Sequence, residues 1–133
     1  MEVINQLYPS KIQIEDFKNF PTDKPIKMVN LLKFKDKAVY EDGRKTDLSG
    51  VEAYSIYATE VVNHLEKVGG QTLFFGEVKG LLIGEVEESW EWVAIAEYPS
   101  ASAMYKMFTD SDYRESEKHR SAGLQGQLNI ITQ

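Results

Sequence analysis

The chain has 133 residues, a formal net charge of −6, 42% hydrophobic and 11% aromatic residues, and no cysteine. That length and apolar share fit one domain with a real core and argue against disorder. The acidic balance, with no lysine–arginine stripe, disfavours nucleic acid as a partner, and the missing thiols remove disulfides, thiolate nucleophiles, Fe–S clusters and Cys-ligated zinc. A chain free of cysteine fits a reducing cytoplasm, the expected location.

Residues 1–24 read as an N-terminal extension, and residues 25–133 as the domain proper. No basic region followed by a long apolar run marks a signal peptide. The longest apolar runs, Leu81–Ile83 and Trp92–Ala96, fall far short of the roughly 20 residues of a membrane span, so no membrane partner is expected. Ser10 is a candidate cap for a short helix through Phe20, with Ile14, Phe17 and Phe20 turned towards the body.

Ile26–Phe34 is the first core strand. Met28, Asn30, Leu32 and Phe34 share one face, and Val29, Leu31 and Lys33 the other, because side chains alternate along a strand. Asn30 is a polar amide in an apolar row: it either satisfies backbone groups at a sheet irregularity or lines a pocket. Lys35–Ser49, with its Asp42–Gly43 turn signal, reads as a charged loop or small hairpin. Val51, Tyr54, Ala58, Val61, Leu65 and Val68 then recur at helical spacing, and Gly69-Gly70 ends that helix. Tyr54 and Tyr57 lie one turn apart, as core-edge residues with wet hydroxyls or as substrate contacts. Glu60 and His64 read as solvated pairs. A zinc site would want a third protein ligand, so no metal is expected. Haem needs only one axial histidine, but no motif ties either histidine to a haem pocket, and no cofactor is expected.

Gln71–Gly84 reads as a second strand interrupted by Gly76 and Gly80, and Glu85–Ser89 as an acidic turn. The Trp90–Tyr98 strand is apolar on both faces from Trp92 to Ala96, so both faces of its sheet should be covered. Pro99 stops that strand, and Ser100 caps a helix whose apolar stripe is Met104, Met107 and Phe108. A further helical segment runs from about Asp112 to Ala122, and a last strand from Gln127 to Thr132. The order is strand–helix–strand twice over, the α+β split βαβ or ferredoxin-like pattern. Its helices cover one face of a four-stranded antiparallel sheet. A second copy of the chain is expected to cover the other, making a homodimer.

Asn30-Leu31-Leu32-Lys33-Phe34, Ala53-Tyr54 with Tyr57, Gly69-Gly70, Tyr98-Pro99-Ser100, Met107, Tyr113 and His119-Arg120-Ser121-Ala122-Gly123-Leu124 together resemble the domain-of-unknown-function family thirteen-thirty of the dimeric α/β-barrel superfamily. The resemblance spans about residues 26–130. It implies a dimer whose sheets form a barrel, with a cavity between sheet and helices. It implies no reaction; neighbouring families include cofactor-free monooxygenases, small-molecule isomerases and haem-handling enzymes, and a shared fold does not transfer an activity.

The candidate chemistry gathers near the C-terminal helix. Lys118, His119 and Arg120 near its end suit the macrodipole, and Glu115 could simply pair with His119 on the surface. Tyr113, Ser116 and Arg120, at offsets of three and seven, share a helical face. A tyrosine and an arginine side by side suit a small carboxylate or enolate, with His119 as acid or base near neutral pH. The catalytic candidates are therefore His119, Arg120 and Tyr113. The ligand-binding candidates are Asn30, Tyr54, Trp92 and Tyr98, with small Ala94 and Ala96 leaving room. No phosphate loop, nucleophile elbow or paired catalytic carboxylates stand out. Two functions fit: a cofactor-independent enzyme acting on a small organic molecule, and a non-catalytic homodimer that binds a ligand or serves as a scaffold.

Overall fold

In a computed structural model, residues 2–21 and 23–133 are described. Four helices and four strands follow one another as α1 (Lys11–Lys18), β1 (Ile26–Phe34), α2 (Gly50–Lys67), β2 (Gln71–Glu77), β3 (Trp92–Tyr98), α3 (Ala101–Phe108), α4 (Ser111–Gly123) and β4 (Leu124–Thr132). The strands form one antiparallel sheet in the order β2-β3-β1-β4, the ferredoxin-like arrangement. No helix among the described residues is long and apolar enough to cross a membrane.

Local chemistry explains where the elements begin. Ser10 and Ser49 each close a capping box, with Gln13 and Glu52 reaching back to the cap backbone. Ser100 accepts from the Ala103 amide, and Asp110 from the amides of Asp112 and Tyr113. Hydrogen bonds from those amides hold the Asp110 carboxyl below its ordinary range.

Two expectations change. The second strand ends at Glu77 rather than Gly84, and residues 78–91 run as an irregular, mostly exposed loop. Only the first half of that stretch has the alternating β-prone residues a ladder needs; Leu81, Leu82 and Ile83 are exposed without any strand partner. The last strand begins at Leu124 rather than Gln127, because α4 passes directly into it and a bulge at Lys33/Phe34 absorbs the offset.

Helices α2, α3 and α4 cover one face of the sheet. Ile26, Met28, Leu32 and Phe34 of β1 are buried beneath them, with Leu65, Met107 and Leu124. Glycine permits one close approach in this layer. A Cβ on Gly50, at the start of α2, would come within 2.7 Å of the Gly123 carbonyl oxygen at the end of α4. There the loop after β1 is also tied down, Lys35 donating to Gly123 at 2.8 Å and Val39 to Ala122 at 3.0 Å. The start of α2, the end of α4 and residues 35–40 are thereby held as one corner.

Among the described residues, no helix covers the opposite face. Two rungs cross it from edge to edge: Phe74, Ile95, Val29 and Ile130, then Gly76, Val93, Leu31 and Leu128. Phe74 and Ile130 are 53% and 44% exposed.

The N-terminal segment folds back on the body. Phe17 packs against Phe108 of α3, Gln6 bridges to Gln127 of β4, and the Tyr8 hydroxyl lies 2.6 Å from Ser121 Oγ.

Candidate functional site

The polar middle of the covered sheet face anchors the site. Asn30 Nδ2 donates to the Met28 and Ala94 carbonyls at 3.3 and 3.1 Å, and Asn30 Oδ1 accepts from Gln127 Nε2 at 2.6 Å. Gln127 Oε1 in turn accepts from Arg120 Nη2, which also donates to the Leu7 carbonyl at 2.7 Å. Asn30 thus spends its N–H groups on the backbone and acts on Arg120 through Gln127. The chain of bonds fixes a guanidinium that descends from α4 towards β1 and β4.

Arg120 is deeply set, and no carboxylate among the described residues lies within ion-pairing distance of it. Burial pulls its pKa down, but the Tyr113 and Tyr57 phenols and the Glu117 carboxylate outweigh that, leaving it raised and the group charged. Its Nη2 is committed; Nε and Nη1 have no hydrogen-bond partner among the described residues. Among those residues, no buried side-chain nitrogen or oxygen lacks a partner. The unused edge of the guanidinium therefore faces accessible space.

Four tyrosines crowd the same place. The Tyr57 and Tyr113 hydroxyls are 2.9 Å apart, and their rings meet edge to face. Tyr54 lies beside Tyr57 with the rings tilted by 53° and their centroids 5.4 Å apart. Tyr98 lies near both Tyr54 and Tyr57. Burial raises the pKa of all four phenols, so they remain O–H donors at neutral pH. The Tyr54 and Tyr98 hydroxyls make no hydrogen bond with the described residues, although the two side chains are only 7% and 4% exposed. By the same reasoning as for Arg120, both hydroxyl oxygens reach accessible space.

The candidate residues thus divide. Arg120, Tyr113, Tyr54, Tyr98 and, through Gln127, Asn30 come together. His119 points away from them: one residue on from Lys118 is a turn of about 100° from Arg120. Its Nδ1 lies 2.6 Å from the Tyr40 hydroxyl, and the two rings meet edge to face. Tyr40 belongs to the loop after β1, where Arg44 covers its other side at 4.6 Å and, by hydrogen bonding, holds Asp42 down at about 2. Trp92 shares a rung with Leu32 and Gln127 but packs on Phe34 and Phe75, which both touch Tyr54, and lines a shallow cleft of about 450 Å³ with Val51 and Glu77.

One expectation is corrected here. Glu60 and His64 are not a solvated pair. His64 is 9% exposed, its Nε2 lies 2.9 Å from Ser116 Oγ, and Ser116 donates to Glu60 Oε1 at 2.9 Å. Helix α4 packs along this side of α2 and buries it. Serine, not histidine, is the middle member of the chain, so it is not arranged as a nucleophilic triad. Among the described residues, no group of three His, Asp or Glu side chains could hold a metal ion.

Gln127, Glu117 and the Leu7 carbonyl were not candidates on sequence, whereas Tyr57 was weighed with Tyr54 as a core-edge residue or a substrate contact. The helical spacing of Tyr57 from Tyr54 was a signal for the first tyrosine pair. A backbone carbonyl carries no sequence signal at all.

With this geometry in place, comparison with known proteins is informative. A family model described as a domain of unknown function (DUF1330) matches residues 44–133. The chain belongs to this family. Most of the crevice lies inside the match; Asn30 and Leu7 precede it. Among solved structures, the DUF1330-like chain is similar to the RPA0582 protein from Rhodopseudomonas palustris, described as of unknown function. They share 33% identity over 97% of this chain and 96% of that one, with a TM-score of 0.85. At3g17210 from Arabidopsis thaliana shares the fold at 16% identity and a TM-score of 0.58, over 81% of this chain and 93% of that one. SnoaB from Streptomyces nogalater, a cofactor-independent oxygenase, shares it at 11% identity and a TM-score of 0.51, over 83% and 92%. No curated protein sequence matches.

Proposed function

We propose that the protein binds a small organic anion, a carboxylate or enolate, in the crevice between sheet and helices and acts on it without a cofactor. One observation carries this reading. Three hydrogen-bonding groups on deeply set side chains, the Arg120 edge and the Tyr54 and Tyr98 hydroxyls, are left without protein partners and face accessible space. Water reaches such groups in the free protein, and where several lie near one another a ligand carrying matching oxygen atoms can take its place. The charge selects an anion, the phenols suit its oxygen atoms, and the aromatic rings suit an apolar body. His119 makes no ligand contact in this proposal; it braces the loop after β1 against α4.

The protein acts as a homodimer joined through the helix-free sheet face, the reading favoured by its two apolar rungs. Native mass spectrometry of the purified protein tests both parts. A dimer with an added small mass, lost in Arg120→Lys, is the expected result. A monomer at micromolar concentration overturns the assembly. For the ligand, titration with benzoylformate, an aryl oxo acid, followed by tyrosine and tryptophan fluorescence is decisive: binding equal in wild type and Arg120→Lys overturns the site.

A further inference from the structure

Glu117 is the group in this neighbourhood without a structural task. It lies four residues after Tyr113, three before Arg120 and four before Ser121, so it shares the inward side of α4 with them. Its side chain is half-buried. Arginines stand three residues to either side, at Arg114 and Arg120, the spacing at which helical ion pairs form. Yet Glu117 makes no ion pair or hydrogen bond with any described residue. Arg120 is turned inward by Gln127 and Leu7 instead.

The groups around Glu117 come from several elements. Arg120, Arg114 and Tyr113 belong to α4, Tyr57 to α2, Glu41 to the loop after β1, and Tyr8 to the N-terminal segment. Burial raises the Glu117 pKa; Arg120 and Arg114 lower it, and Glu41 adds to the rise. A half-buried carboxylate left unpaired on the helix side that carries a cation and a phenolic donor has the makings of a proton acceptor.

We propose that Glu117 transfers the proton in an enolisation of a small 2-oxo acid held at Arg120. This rests on the anion-binding reading above. The carboxylate of Glu117 takes a proton from the carbon beside the oxo group. The C–H electron pair becomes the enolate C=C bond, and the carbonyl π pair moves onto oxygen. There the charge meets a tyrosyl O–H and the unused edge of Arg120, donors already in place before the charge develops. Return of the proton from Glu117 to carbon restores the ketone; delivery to oxygen gives the enol. Nothing is oxidised or reduced, and no co-reactant is consumed.

The test separates binding from proton transfer. Benzoylformate has no hydrogen on the carbon next to its oxo group and reports binding alone. Phenylpyruvate has such hydrogens, and their exchange in D2O is read by NMR. Wild type should bind benzoylformate and speed phenylpyruvate exchange above buffer. Glu117→Gln should keep binding, having lost a like charge, while exchange falls by about 100-fold or more, the usual worth of a positioned acid–base group. Glu117→Asp should keep binding and recover part of the exchange, which a merely structural role would not produce. Exchange in Glu117→Gln equal to wild type, or binding without exchange in wild type, overturns the role of Glu117 and leaves the site standing. Failure of wild type to bind benzoylformate overturns both.

Discussion

The two faces of the sheet are built from the same strands and do opposite things. On the face beneath the helices, Ile26 and Leu32 are fully buried, and between Met28 and Leu32 a polar pair interrupts the apolar row, with Asn30 beside Asn129 and linked to Gln127. On the other face, every residue of the rung Phe74–Ile95–Val29–Ile130 is apolar, yet no helix among the described residues covers it, and Phe74 and Ile130 are exposed. A polar group thus sits within the layer where the chain packs against itself, and an unbroken apolar rung where it does not. That inversion makes sense if the covered side holds a site and the open side meets another molecule. Adjacent residues of one strand can therefore be set against each other.

The largest contrast is between Leu32 and Leu31. Leu32→Ala leaves a cavity in a closed layer and should cost about 2–5 kcal/mol in urea unfolding at any protein concentration. Leu31→Ala, on the open face, should cost little in a monomer. In a dimer its cost should grow as the protein is concentrated, since association adds to apparent stability. Equal, concentration-independent losses would remove the distinction between the faces. Ile95→Glu sharpens the same comparison. A charge at the centre of the apolar rung should give a folded monomer by sedimentation, with far-ultraviolet circular dichroism unchanged.

A smaller contrast lies within the crevice. Tyr57→Phe removes one member of a buried hydroxyl pair and should cost about 0.5–1.5 kcal/mol, with the Tyr113 hydroxyl left unmatched. Tyr54→Phe and Tyr98→Phe remove hydroxyls that bond to no described residue, so thermal melts should move little, while binding of benzoylformate weakens. If instead those two variants lose as much stability as Tyr57→Phe, their hydroxyls serve the fold and not a ligand.

Much of this arrangement could be read from the chain. The alternation in Ile26–Phe34, the stop at Pro99 and the caps at Ser49 and Ser100 are local signals, and the elements begin or end where those residues say. The ferredoxin-like order follows from the elements. The site was legible only in outline. Tyr113 and Arg120 share a helical face, which periodicity reveals, but their partners Tyr57 and Gln127 lie 56 and 7 residues away and meet them only through packing. His119 and Arg120 are neighbours in sequence and were grouped for that reason; a helix turns consecutive side chains apart, so one faces the crevice and the other the Tyr40 loop. His64 was misjudged because the apolar stripe of α2 says nothing about a second, polar stripe buried by α4.

The smallest effect tests whether the inward side of α4 truly withdraws Glu117 from water. Burial, the leading cause, raises its pKa above the value in the unfolded chain, so the folded state holds the proton more tightly. Between the unfolded and folded pKa values the native state binds more protons than the unfolded one. Stability must then fall as pH rises through that window, the reverse of an ion-paired carboxylate. Glu117→Gln removes the penalty at neutral pH and changes nothing once the carboxyl is protonated in both states. The variant should therefore melt slightly above wild type at pH 7, with the difference vanishing below the ordinary glutamate range of about 4.3. An exposed surface carboxylate would give no such pH-dependent gap, and a gap of opposite sign would mean that Arg114 or Arg120 pairs with it in solution. The first result would return Glu117 to the solvated side of the helix and the second would give it a partner; in either case the contrast between a spent Arg120 Nη2 and an idle carboxylate three residues away would disappear.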